Sequence, residues 1–139
     1  MAGYSGTPLA QKLGIKPGSR VLVAGAPRGF EKTLEGLPPD AKLETAAARG
    51  AKYDVMAVFV TTQKMLTRQL AAMMPRMQLA CGLWFAWPKK ASGVATDVTE
   101  DAVRDAALAA GLVDNKVCAI DQTWSGLRVV IRVKDRPKK

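Results

Sequence analysis

Runs of consecutive apolar residues mark the predicted strands of this chain. Val55–Val60 and Leu83–Trp87 contain no charged residue, which is typical of strands that are covered on both faces. Arg20–Ala24 is apolar and β-branched after its first residue, and Ala41–Thr45 predicts a shorter second strand. Pro88 ends the Leu83–Trp87 strand, because proline has no N–H to donate to a neighbouring strand.

Segments with helical periodicity separate these strands. After the third predicted strand, Thr61 or Thr62 is the expected N-cap of a helix, and Pro75 predicts a kink or an early end. The apolar positions of this helix share one face: they are Leu66, Leu70, Met73, Met74 and Met77. Another helix is predicted after Thr99, with acidic residues in its first turn, and Gly111 closes it.

The C-terminal part of the chain predicts a hairpin. Lys116–Asp121 and Leu127–Lys134 are expected to be strands, and the short segment 122–126 between them requires an antiparallel pair. Two short helices complete the pattern: one has Thr7 as its N-cap, and one follows the first strand and ends near Glu35. Strands that alternate with helices predict an α/β fold, with a parallel sheet, right-handed crossovers and one antiparallel strand near the C-terminus.

The length of 139 residues predicts one domain, which we place at residues 1–134, followed by a basic tail at 135–139. The apolar runs are too short to span a bilayer, and the first residues lack the pattern of a signal peptide. Cys81 and Cys118 are isolated in apolar runs, so we interpret them as small buried side chains and not as a disulfide. A cytoplasmic location is therefore expected.

The chain contains no histidine, and its net charge is +9. The lack of histidine removes the commonest general base, the Ser-His and Cys-His pairs and nearly all ordinary zinc or iron sites, so no metal site is predicted. The positive charge favours an anionic small molecule or an acidic protein surface as the partner. Nucleic acid is a weaker expectation, because the basic residues are spread along the whole chain.

Four segments give the chain a specific resemblance: residues 2–9 (Ala-Gly-Tyr-Ser-Gly-Thr-Pro-Leu), 87–93 (Trp-Pro-Lys-Lys-Ala-Ser-Gly), 96–100 (Thr-Asp-Val-Thr-Glu) and 123–127 (Thr-Trp-Ser-Gly-Leu). With them, the chain resembles a small bacterial family of single-domain, methyltransferase-like proteins without an assigned reaction. The resemblance implies a three-layer, Rossmann-like sheet of order 2-1-3-4-6-5, truncated by one strand and one helix relative to S-adenosylmethionine-dependent methyltransferases. It also implies S-adenosylmethionine as a possible cofactor.

In such a sheet the ligand lies beyond the carboxyl ends of the strands. Glu44 follows Gly25 by nineteen residues, near the spacing at which an acid binds a ribose hydroxyl. The segment after the fourth strand joins two lysines to a serine and a glycine, which suits an anion. Trp124, on the predicted hairpin turn, either stacks on a ligand or caps the core. The candidate ligand-binding residues are Gly25, Arg28, Gly29, Glu44, Thr61, Lys89, Lys90, Ser92, Gly93 and Trp124.

The loop after the first strand argues against ordinary methyl transfer. Methyltransferases of the resembled fold place an acid in the first strand, where this chain has Val23. Pro27 removes an N–H, and Arg28 would repel a cationic sulfonium. Three functions stay open: a non-catalytic or regulatory module that binds an anionic small molecule or a protein, a methyltransferase with a degraded cofactor motif, and a nucleic-acid-binding protein.

Overall fold

A computed structural model describes residues 8–34 and 36–136. The strands are β1 (Arg20–Ala24), β2 (Lys42–Glu44), β3 (Tyr53–Phe59), β4 (Met77–Pro88), β5 (Leu112–Ala119) and β6 (Trp124–Ile131). The helices are α1 (Leu9–Lys12), α2 (Phe30–Thr33), α3 (Gln63–Met73) and α4 (Glu100–Ala109). Single 3-10 turns lie at Met74–Arg76, Lys90–Ser92 and Val133–Asp135.

The six strands form one mixed sheet in the order β2-β1-β3-β4-β6-β5. β1 pairs in parallel with β2 and β3, and β3 pairs in parallel with β4. β6 lies antiparallel between β4 and β5. The fold class, the strand order and the antiparallel C-terminal pair predicted from the sequence are therefore confirmed. β2 is an edge strand, and residues 45–52 connect it to β3 without a helix.

Both faces of the central strands are covered, which explains their continuous apolar runs. On one face, Leu83, Phe85 and Trp87 pack with the apolar residues of α3 and α4. On the other face, Trp84 and Ala86 pack with α1, α2 and the segment that leads into β1. Alternating residues of β3 divide between the same two clusters. The result is the three-layer arrangement expected of an α/β fold.

Several predicted boundaries differ from the observed ones. Pro75 ends α3 after Met73, so Met77 begins β4 and does not lie on the helix. The hairpin strands begin four and three residues earlier than predicted, because β5 starts at Leu112 and β6 at Trp124. β5 begins directly after Gly111, which closes α4. β6 begins early because of a tight turn in which the Asp121 carboxylate accepts hydrogen bonds from two following backbone N–H groups.

Three of the predictions fall partly or wholly outside the described residues. Thr7 and Glu35 lie outside them, α1 begins at Leu9, and α2 ends at Thr33. The last three residues of the predicted basic tail lie outside them as well. In the part of the chain that the structure covers, no helix has the length and apolar character needed to cross a bilayer.

Candidate functional site

The loops that follow the parallel strands meet at the carboxyl edge of the sheet, and the antiparallel β6 begins there. Aromatic side chains from three of these segments contact one another. Phe59, at the end of β3, packs edge-on against Phe30 of α2, with ring centroids 4.9 Å apart. It packs in the same way against Trp124 at the start of β6, at 5.0 Å. These contacts fix the β1–α2 loop and the hairpin turn to the core.

A pocket opens beside this aromatic cluster, between the ends of β1 and β2. Its volume is about 320 Å³, at the small end of the range for ligand pockets. We name it the β1–β2 pocket, and its lining residues are Val23, Gly25, Ala26, Phe30, Glu31, Leu43 and Thr45. Within this lining, Glu31 is the ionisable side chain, and the rest of the wall is apolar except for the Thr45 hydroxyl and the backbone.

Gly25 shapes the wall of the β1–β2 pocket through its backbone. Its φ of +72° lies in the left-handed region, which favours glycine. A Cβ at this position would lie 3.0 Å from the backbone oxygen of Phe59. The chain therefore turns sharply after β1 and passes directly over β3, a path that no residue with a side chain follows without strain.

Replacing Gly25 with alanine is expected to lower the free energy of unfolding by about 1–3 kcal/mol. Gly29→Ala is the matched control, since Gly29 also has a positive φ, of +84°, but an added Cβ meets no atom within 4 Å. Urea denaturation of the two variants separates the contact with Phe59 from backbone strain. Equal destabilisation of both variants would show that the close approach to Phe59 has no energetic effect.

Glu44 lies at the end of β2, but its carboxylate is engaged within the protein. Its Oε1 accepts a hydrogen bond of 3.2 Å from Nη2 of Arg20, and Oε2 pairs with Nε of the same side chain. The buried Tyr53 hydroxyl donates to Oε1 at 2.8 Å. Leu43 and Thr45, one residue to either side, line the β1–β2 pocket. Strand alternation thus turns the side chain of Glu44 away from the pocket.

The Arg20 guanidinium, and after it the Tyr53 hydroxyl, hold the pKa of the Glu44 carboxyl below its usual value. Because the folded-state pKa is the lower one, this stabilisation is present above the ordinary carboxyl pKa and is lost as the pH falls through the folded value. Glu44→Gln is therefore expected to lose less stability than the wild type between neutral and acid pH. The melting temperatures of the wild type and of Glu44→Gln, measured from neutral to acid pH, test this difference in stability. Asp105→Asn, at an exposed position, is the control. Parallel curves for wild type and Glu44→Gln would contradict it.

The lysine-containing segment after β4 is held by its own hydrogen bonds. Nζ of Lys89 donates to the backbone oxygen of Asp121 at 2.8 Å, and its backbone N–H donates to the oxygen of Thr123. The Ser92 hydroxyl donates to the oxygen of Lys89 and accepts from the N–H two residues later. Gly93 adopts a left-handed conformation that ends the 3-10 turn. Lys90 is the exposed lysine of the pair.

The N-terminus of α3, at this edge, is already occupied by side chains. Thr62 caps α3, and the Asp97 carboxylate accepts a hydrogen bond of 2.8 Å from the N–H of Gln63. The backbone oxygen of Thr61 accepts from the Thr96 hydroxyl, which ties the segment after β4 to the start of α3. A bound anion would have to displace the Asp97 carboxylate to reach these N–H groups.

All ten predicted site residues lie at the carboxyl edge, but the structure does not bring them together in one pocket. Gly25 lines the β1–β2 pocket, and Arg28 and Gly29 are exposed in the loop beside it. The segment from Lys89 to Gly93 packs against the hairpin turn and not against this pocket. Six lining residues of this pocket were not predicted as site residues: Val23, Ala26, Phe30, Glu31, Leu43 and Thr45. The alternation of β2 was the signal that pointed to Leu43 and Thr45.

The cysteine thiols and the side chains able to hold a metal ion are the other groups that could carry chemistry. Burial raises the pKa of the Cys81 thiol to about 12, so this thiol stays protonated at neutral pH and is a poor nucleophile. Both cysteines are free, and Cys118 is half-buried. Among the described residues, no group of three cysteine, aspartate or glutamate side chains is arranged to hold a metal ion.

Comparison with known proteins supports the fold. No protein-family model matches the sequence, and no curated protein matches it. A methyltransferase from Aquifex aeolicus that depends on S-adenosylmethionine aligns with 88% of this chain and 88% of its own, at 13% identity and a TM-score of 0.63. Magnesium protoporphyrin IX methyltransferase from Synechocystis PCC 6803, solved with bound S-adenosylmethionine, covers 89% of this chain and 74% of its own, at 13% identity and a TM-score of 0.60. The chain therefore has the Rossmann-like fold of these methyltransferases.

Proposed function

We propose that this protein is a non-catalytic, regulatory binding module, and that its β1–β2 pocket accepts the nucleoside part of an anionic ligand of the nucleotide class. One observation carries the proposal. The pocket lies where an open α/β sheet binds its ligands, yet the strand that ends there presents the buried Val23 and no acid. The pocket thus lies at the ligand edge of the sheet, and the strand end beside it offers no carboxylate to a cationic cofactor.

The pocket walls combine a few apolar side chains with a larger share of polar atoms, which suits a flat group that carries several hydrogen-bonding atoms. Phe30 and Leu43 supply apolar surface, the Thr45 hydroxyl can donate or accept a hydrogen bond, and the glycine turn exposes backbone groups at Gly25. These features match a base and a ribose more closely than a fully charged metabolite. A volume of about 320 Å³ accommodates a group of that size.

Positive charge beside the pocket supports an anionic ligand. Arg28 is exposed in the loop between β1 and α2, three residues after Gly25, and its guanidinium is able to bind a phosphate through two N–H groups. Lys90 adds an exposed charge at the same edge of the sheet. The ligand's sugar would then lie in the pocket, with its phosphate towards Arg28.

Methyl transfer is the second candidate, and Glu31 favours it. This carboxylate lines the β1–β2 pocket and would attract the ammonium or sulfonium of S-adenosylmethionine. The similarity to methyltransferase structures supports the same candidate at the level of the fold. Against it stand Val23 at the strand end and the cationic Arg28 beside the pocket.

The test compares adenosine with adenosine 5′-monophosphate by isothermal titration calorimetry. We expect the monophosphate to bind about tenfold more tightly than adenosine, with Arg28→Gln removing that difference, since a charge-assisted pair contributes roughly 1.5 kcal/mol. Arg68→Gln, an exposed change on α3, is the charge-matched control. Equal affinities in the wild type would reject the anionic ligand. Tighter binding of S-adenosylmethionine than of either compound would favour the second candidate.

A further inference from the structure

A second pocket lies at the opposite edge of the sheet, where the parallel strands begin. It has a volume of about 400 Å³, within the range of small-molecule sites. The loop that leads into β1 forms one wall. Residues near the starts of β3 and β4, together with Arg128 of β6, form the floor. We call it the amino-edge pocket; the residues that matter for its chemistry are Lys16, Ser19, Asp54 and Arg128.

Arg128 lies on the floor of this pocket in an unusual setting. Its side chain extends over Gly82 of β4, so that a Cβ at Gly82 would overlap the guanidinium Nε. That Nε is buried and has no hydrogen-bond partner. Among the described residues, the guanidinium makes neither a hydrogen bond nor an ion pair. The residue as a whole is half-buried, and its unpaired Nε is a donor that a ligand in this pocket can satisfy.

The neighbours of Arg128 add positive charge. Lys116 of β5 lies directly opposite Arg128 in the strand register, and like charges in that relation destabilise a sheet. Arg136 is close enough to lower the pKa of Arg128, after the larger effect of burial. Lys16 lines the same pocket, and Nζ of Lys116 reaches the backbone oxygen of Lys12 at 3.2 Å.

One carboxylate faces these cations. Asp54 lines the pocket at the start of β3, where its Oδ2 accepts a hydrogen bond of 2.8 Å from the backbone N–H of Arg20. Ser19 is buried, and its oxygen accepts from the backbone N–H of Lys16 at 3.0 Å, which leaves the hydroxyl hydrogen available. The pocket therefore offers cationic donors, one hydroxyl donor and one acceptor.

We propose that the amino-edge pocket binds the phosphate group of a phosphorylated sugar, with Arg128 and Lys16 neutralising the phosphate and Asp54 accepting a sugar hydroxyl. A guanidinium binds a phosphate through two parallel N–H groups, and a lysine adds a point charge. Bound phosphate offsets the repulsion between Lys116 and Arg128, so ligand binding stabilises the fold. This site is separate from the β1–β2 pocket and does not depend on the function proposed for that pocket.

Thermal unfolding with ribose 5-phosphate tests the proposal, against ribose with sodium chloride at equal ionic strength. We expect the phosphorylated sugar to raise the melting temperature by about 4 °C or more at saturating concentration. Arg128→Gln abolishes this rise and Lys16→Gln reduces it, whereas Arg68→Gln, an exposed change on α3, keeps it. Lys16 is exposed in a loop, so Lys16→Gln is expected to fold. If Arg128→Gln does not fold, a smaller rise in the melting temperature for Lys16→Gln than for the wild type supports the proposal, and an equal rise overturns it.

Two further experiments test whether the ligand binds in another pocket and whether the phosphate belongs to a nucleic acid. Thr45→Trp, which fills the β1–β2 pocket, keeps the rise if the amino-edge pocket is the site, and a rise lost in Thr45→Trp but kept in Arg128→Gln overturns the assignment. A single-stranded oligoribonucleotide is the second probe. If it binds to the wild type but not to Arg128→Gln, and ribose 5-phosphate has no effect, the pocket binds the phosphates of a nucleic-acid backbone and the sugar ligand is overturned. The same rise in all variants, or none in the wild type, overturns the proposal as a whole.

Discussion

Replacing Trp84 with alanine is expected to lower the free energy of unfolding by about 3–5 kcal/mol. The indole is fully buried in the centre of β4, among residues that cover the α1 and α2 face of the sheet. Its Nε1 donates a buried hydrogen bond of 3.1 Å to the backbone oxygen of Leu13, just after α1. The alanine variant loses the packing of the ring and leaves that oxygen without its partner.

Trp84→Phe separates these two contributions. It keeps most of the apolar volume but removes the donor, so a smaller loss of about 1–3 kcal/mol is expected from the unpaired oxygen of Leu13 and the reduced volume. Urea denaturation of both variants gives the two values on one scale. A loss below about 1 kcal/mol for Trp84→Ala would contradict the placement of the indole at the centre of the core.

Replacing Phe59 with alanine is expected to cost about 3–5 kcal/mol and to disturb the candidate site as well. Phe59 is buried at the end of β3, and its ring contacts both Phe30 and Trp124. Without it, the β1–α2 loop and the hairpin turn lose the side chain that joins them. We therefore expect weaker ligand binding in the β1–β2 pocket, which Phe30 lines, in addition to lower stability.

Phe59→Leu is the matched variant for this second prediction. It retains an apolar side chain and removes the two edge-on ring contacts, each worth about 0.5–1.5 kcal/mol beyond burial. A double-mutant cycle with Trp124→Leu measures the part that belongs to the Phe59–Trp124 pair. Additive effects of the two substitutions would show that the rings contribute no more than their buried area.

The order of helices and strands could be predicted because the clearest pattern in the sequence, its runs of apolar residues, results from burial. The apolar runs of β3 and β4 contain no charged residue after Asp54, since both of their faces are covered by other side chains. The alternation of helices with such strands then implied a mostly parallel sheet. The position of β6 between β4 and β5 was expected from the resemblance to methyltransferase-like proteins, and not from the residues of the hairpin alone.

Boundaries and the site were less predictable, for physical reasons. Met77 continues the apolar spacing of α3, but Pro75 stops the helix before that spacing is complete. The candidate role of Glu44 depended on a side chain that was free at the end of β2. Its partners, Arg20 and Tyr53, lie 24 and 9 residues away in the sequence, and they become neighbours only when the sheet forms.

Binding of adenosine 5′-monophosphate to Thr45→Trp tests the central claim, that the β1–β2 pocket binds an anionic ligand of the nucleotide class. Thr45 is an exposed residue that lines this pocket, so tryptophan fills the space with little effect on the fold. Thr67→Trp, at an exposed position of α3, is the control. By calorimetry we expect the wild type and the control to bind equally and Thr45→Trp to bind at least about tenfold more weakly. Undiminished binding by Thr45→Trp would contradict the account.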